Sequence, residues 1–144
     1  MANETLPKAL GSEQDVRDIA LMLVRLCGEI HEALRRSTCG KEENTSTLPY
    51  ALLTEEYALR SRANTLLIEA KRFARQDLSC PQQNILDTLQ ATHARFETVT
   101  SLQQLADLIN CVMLFANSLM SRNGKVTMYL LDELNQTVHA NKFG

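Results

Sequence analysis

Between Leu102 and Met120 the chain carries one formal charge, Asp107, yet its apolar residues are spaced like a helix face and not like a membrane span. Leu105, Ile109, Val112, Ala116 and Leu119 return at three- and four-residue steps, the period of one helical stripe. The opposite side (Gln103, Gln104, Asn110, Asn117, Ser118, Ser121) is polar but uncharged, where a solvated helix normally sets Lys and Glu. That pattern predicts a helix covered on most sides, either central in a bundle or at the seam of a dimer. Gln103, Asn110 and Asn117 recur every seven residues, and Gln104, Cys111 and Ser118 run beside them. Gln103, Asn110, Asn117 and Ser118 are therefore the expected interface, because a covered asparagine at such a position fixes register.

The rest of the chain fits the same class. Five Gly, three Pro, no Trp and 5% aromatics leave a stock dominated by straight-chain residues, which favours helices over strands. The expected fold is all-α, an antiparallel helical bundle of four to five helices. A loose arm over residues 1–11 is expected to precede a single domain over 12–144. Ser12 before Glu13 and Asp15 predicts a capped helix start, and Val16, Ile19, Leu23, Leu26 and Ile30 carry its apolar face toward Arg36. Residues 37–47 are polar and aperiodic, a long connection for a bundle.

A second helix is expected from Pro49 to about Gln76, with Leu59, Ala63, Leu66 and Ala70 in its stripe. Pro81 suits the first turn of a third helix reaching Thr98. Thr100 with Gln103 three residues on matches a capping box for the helix after it, and Gly124 suits a left-handed turn at that helix's end. The segment 125–131 reads as the start of a final helix or, after Asn123-Gly124, as a strand.

Chemistry has few footholds. The five glycines stand alone, so no phosphate loop is present, and there is no G-x-S-x-G. Cysteines at 27, 39, 80 and 111 have no paired spacing, so neither a zinc site nor a redox motif is expected. His93 and Glu97 stand one helical turn apart, but no second such pair accompanies them. No catalytic residue, metal or cofactor is assigned. His31-Glu32 resembles the phosphoacceptor pair of histidine-kinase hairpins. The match departs at Ala33, lacks a following proline, and extends over only a handful of residues.

A net charge of -2 gives no overall field for nucleic acid or an acidic membrane. Arg60, Lys71, Arg72 and Arg75 would nonetheless fall on one side of a continuous second helix, a possible basic patch. No 18-residue apolar run occurs, and Met1 to Pro7 has neither the basic start nor the apolar core of a secretory signal. The expectation is a cytoplasmic, non-catalytic interaction or regulatory module, homodimeric, binding a protein partner through helix faces. The alternatives are a phosphotransfer-type helical domain using His31 and a nucleic-acid-binding module using the basic side of the second helix.

Overall fold

The computed structural model describes residues 8–38 and 48–140. They form six helices and, among the described residues, no strand: α1 Glu13–Thr38, α2 Leu48–Ile68, α3 Ala70–Phe73, α4 Gln82–Thr98, α5 Leu102–Leu119 and α6 Gly124–Ala140. Residues 125–131 are therefore helical, and the strand alternative falls. Of the polar connection expected over 37–47, Ser37 belongs to the last turn of α1, and 39–47 lie outside the described residues.

Local chemistry sets several ends. The Asp15 N–H donates to Ser12 Oγ at 3.1 Å, while Glu13 and Asp15 open α1 and Arg35 and Arg36 close it, matching the helix dipole at both ends. The α5 cap sits one residue later than Thr100: Ser101 Oγ accepts from the Gln104 N–H at 3.0 Å. Asn123 opens α6, its Oδ1 accepting from the Val126 N–H at 3.2 Å.

Gly124 is not a left-handed terminator of α5. It is the first residue of α6 and lies buried against Asp77. A Cβ there would stand 2.2 Å from the Asp77 carbonyl oxygen, so the position admits only glycine without movement.

The most enclosed helix is α1, which packs on α2, α3, α4 and α5. Ile19, Leu23, Leu26 and Ile30 are fully buried there. α5 supplies the other half of the core, with Leu105, Val112, Phe115 and Ala116 inaccessible, and packs on α1, α2 and α6. It is not covered on most sides as its composition suggests, because Gln103, Asp107, Asn110, Leu114 and Asn117 face outward.

Two further expectations are corrected. The second helix stops at Ile68, where Glu69 leaves helical geometry (φ -107, ψ 35), and α3 adds one short turn before an extended Ala74. Neither Gly nor Pro causes this break. The chain turns to place Arg75 against the N-terminal segment, where its N–H donates to the Leu10 carbonyl at 2.7 Å.

Residues 8–11 are accordingly not a loose arm. Ala9 N–H donates to the Cys80 carbonyl, Leu10 N–H to Gln82 Oε1, and the Gln76 amide to the Gly11 carbonyl. Ala9 and Leu10 are buried. Leu10 adopts φ 60, a conformation costly for a residue with a Cβ. Its two backbone bonds and buried side chain hold it there.

Candidate interaction surface

α2 is apolar on two opposite sides. Leu52, Leu59, Ala63 and Leu66 pack into the core. Tyr50, Tyr57 and Ile68 point away from it, exposed at 75%, 65% and 80%. At about 100° per residue, Ile68 shares the bearing of Tyr50 and Tyr57 lies within about 20° of both. Thr54, Ser61 and Asn64 fill the steps between them and are exposed too. The outer face of α2 thus presents six uncharged residues at alternating four- and three-residue steps, the spacing of a helix-pairing seam.

The charges of α2 lie off that line. Glu56 is buried, and its Oε2 accepts from both Nε and Nη2 of Arg60, at 3.1 and 2.6 Å. Arg62 turns toward α5 and donates from Nε to Asn117 Oδ1 at 2.6 Å. By contrast α1 shows solvent Arg25, Glu32 and Arg35, with Arg35 paired to Glu32. That is the usual solvated face.

The Arg62–Asn117 bond leads from α2 to the neutral line of α5. Gln103, Asn110 and Asn117 are exposed, so none of the described helices covers them. The neighbouring line is spent inside the chain. Cys111 is half-buried with Sγ 3.5 Å from Thr137 Oγ1 of α6. Ser118, expected at the interface, is buried and donates to the Phe115 carbonyl at 2.6 Å. Beyond the exposed line, Asn110, Leu114, Tyr129 and Glu133 help line a groove of about 250 Å³ between α5 and α6.

The four basic residues do not assemble into a patch. Arg60 is paired with Glu56, Arg72 with Glu69, and Arg72 also lies 5.0 Å from the Phe73 ring centre. Lys71 is exposed on the short α3. The Arg75 side chain, only 4% exposed, is fixed by Asp77 at 2.6 and 2.9 Å and by the Leu119 carbonyl at 3.3 Å. This guanidinium holds the Asp77 carboxyl below the usual carboxylate range. The stripe expected from the sequence needs a helix running unbroken to Gln76. The break at Glu69 dissolves it.

Two histidines sit beside carboxylates. His31 Nδ1 lies 3.8 Å from Glu56 Oε1, with 56% of the His31 side chain exposed. His93 lies between Glu29 of α1 (3.7 Å from Nε2) and Glu97 (3.9 Å from Nδ1). Glu29, His93 and Glu97 could bring three ligand atoms within 4.8 Å of one another. The two carboxylates face different ring nitrogens, and an ion can take only one of those. Arg36 already stands 3.9 Å from Glu29. The triad is best described as an α1–α4 polar bridge. Cys27, facing the Glu56 carbonyl from α1, is buried, and burial pushes its thiol up to about 12, away from nucleophilic use.

No family model matches the chain, nor does any curated protein or solved structure. No helix among the described residues is long and apolar enough to cross a membrane.

Proposed function

We propose that this chain is a non-catalytic protein-interaction module, a cytoplasmic helical bundle that binds a protein partner through the uncharged outer face of α2 and the outward side of α5, where Asp107 is the one charge. The observation that carries the reading is the second apolar side of α2: Tyr50, Tyr57 and Ile68 stand in line, exposed, opposite the core-facing stripe. Fully burying a large apolar side chain is worth about 1.5–3 kcal/mol, a gain that these three residues leave unrealised within the chain. Tyrosine suits a binding face, since it offers a large apolar body and a polar tip that tolerates water before the partner arrives. The α5 line of Gln103, Asn110 and Asn117, joined to α2 through Arg62 and Asn117, widens the surface and is flanked by one acidic residue, Asp107.

The test is a double variant, Tyr57→Asp with Ile68→Asp, compared with the wild type by native size separation of an extract from its source. Exposed positions accept such changes within about 0.5 kcal/mol, so the variant keeps its helicity and unfolding midpoint. The wild type is expected above the mass of a lone chain and the variant at that mass. A wild type that migrates as a lone chain overturns the proposal.

A phosphotransfer-type reading draws on one observation, the contact of His31 Nδ1 with buried Glu56, which would orient the ring of a partly exposed imidazole. Incubation with phosphoramidate tests it: the phosphoryl group would pass to an imidazole nitrogen and ammonia would leave. Acid-labile phosphate that vanishes in His31→Gln supports this reading, and no incorporation ends it.

A further inference from the structure

We infer that the partner on the α2 face is a second copy of this chain, with the two α2 helices paired antiparallel about a two-fold axis near Leu59. The inference rests on the interaction-module reading and names its partner. The six outer residues have a sequence order that is complementary to its own reversal. Running antiparallel, Tyr50 meets the partner's Ile68, Thr54 meets the partner's Asn64, and Tyr57 meets the partner's Ser61.

Each match is chemically sensible. An aromatic ring packs on a branched aliphatic at both ends, a hydroxyl meets an amide, and a large ring lies over a small residue on each side of the axis. In the parallel arrangement Tyr57 would crowd the partner's Tyr57 while Ser61 would leave a gap against the partner's Ser61. Uneven packing of that kind is penalised in both directions.

The flanks agree with the same register. Leu53, half-buried, comes beside the partner's Leu67, and Ala58 comes beside the partner's Ala58, small enough for close approach. Arg60 approaches its own symmetry mate, but its charge is already matched by Glu56 within the chain. No side chain that is charged at neutral pH lies on the seam itself, so the two seams meet without like-charge repulsion.

The contact closes on itself, as a two-fold interface must. In length the outer line spans about 27 Å at 1.5 Å per residue. With 75% and 65% of Tyr50 and Tyr57 open and about 200 Å² per ring, four tyrosines contribute about 560 Å². That is nearly half of the roughly 1,200 Å² at which specific interfaces begin. Ile68, the apolar flanks and the adjoining Arg62–Asn117 edge lie beside them to supply the remainder.

Sedimentation equilibrium of the purified full chain, from nanomolar to several hundred micromolar, tests the association. The wild type is expected to double its mass with rising concentration, and the Tyr57→Asp, Ile68→Asp variant to stay monomeric with unchanged helicity. Register is tested by disulfide trapping in a chain with Cys39→Ser and Cys111→Ser. Thr54→Cys mixed with Asn64→Cys should give crosslinked dimer, and Thr54→Cys alone should not.

A wild type that remains monomeric throughout, a dimer that survives the double variant, or crosslinking of Thr54→Cys with itself overturns the inference. If the purified chain is monomeric while the source extract holds it in a larger complex, self-pairing fails and the interaction-module reading stands.

Discussion

Two glycines in this chain are expected to respond to the same substitution with opposite signs. Gly28 sits inside α1 at an exposed position, and a Cβ built there meets nothing within 4 Å. Gly28→Ala should therefore stabilise the protein by the ordinary helix-interior difference, about 0.5–1 kcal/mol. Gly124 is also helical, but as the first residue of α6 it would gain only part of that difference from propensity. Its new Cβ, however, would stand 2.2 Å from the Asp77 carbonyl oxygen, 2.9 Å from Asp77 Oδ2 and 3.0 Å from the Asp77 carbonyl carbon.

Two of those atoms are backbone and cannot swing away as a flexible side chain would. Asp77 is further held by the Arg75 guanidinium, at 2.6 and 2.9 Å, and Arg75 in turn by the end of α5. Relief requires shifting the α6 start from the 74–82 segment, at a cost of about 1–3 kcal/mol. That outweighs the propensity gain. Gly124→Ala should then lower the urea midpoint while Gly28→Ala raises it, with equal slopes in both. A Gly124→Ala midpoint equal to or above the wild type would refute the close approach at Asp77.

Three shorter predictions follow from other contacts. Ser101→Ala should cost about 1 kcal/mol in denaturant unfolding and Thr100→Ala much less, because Ser101 makes the α5 cap bond; the reverse order would restore Thr100 as the cap. Asp77→Asn should destabilise by about 2 kcal/mol, below the cost of breaking a fully buried pair because Asp77 is itself part-exposed. Since Arg75 lowers the folded-state pKa of Asp77, its contribution is complete above the ordinary aspartate range and is lost as pH falls through that lowered value. The variant should lack that part of the acid limb, and an identical acid limb would contradict the ion pair. Native Cys27 should resist a thiol reagent at mildly alkaline pH while half-buried Cys111 reacts. Because burial raises the Cys27 thiol to about 12, stability should also decline as pH rises from the ordinary cysteine range toward that value. Rapid native labelling of Cys27 would disprove its enclosure.

What the sequence made legible was whatever depends on neighbours along the chain. The α1 stripe and its Ser12 cap, the all-helical class and the existence of α4, α5 and α6 follow from period and end chemistry. The misses come from contacts distant in sequence. Nothing local in Lys8-Ala-Leu-Gly announces that its backbone will be bonded to residues 75–82, and nothing local at Glu69 announces that the second helix ends at Ile68. Thr100 and Ser101 each have a glutamine three residues on, so the cap was ambiguous by one position. Gly124 carried the composition of a helix end, but its requirement is spatial.

On α5 the scarcity of charge implies cover, whereas Gln103, Asn110 and Asn117 face outward. The outer face of α2 is hidden from a reading that assigns each helix one stripe, because this helix has two. The signal was present: Tyr50, Tyr57 and Ile68 are separated by seven and eleven residues, both near whole numbers of turns.

The most direct test of the proposed α2 surface is hydroxyl-radical footprinting of the chain in an extract of its source, where the proposed assembly would form, against the same chain purified and dilute. Tyr50, Tyr57 and Ile68 are expected to be protected in the extract, with protection extending to Leu114 on the outward side of α5, while exposed Leu21 on the charged face of α1 is labelled equally in both. Equal labelling of the α2 residues in the two samples, or protection centred on Leu21, would contradict the proposed surface.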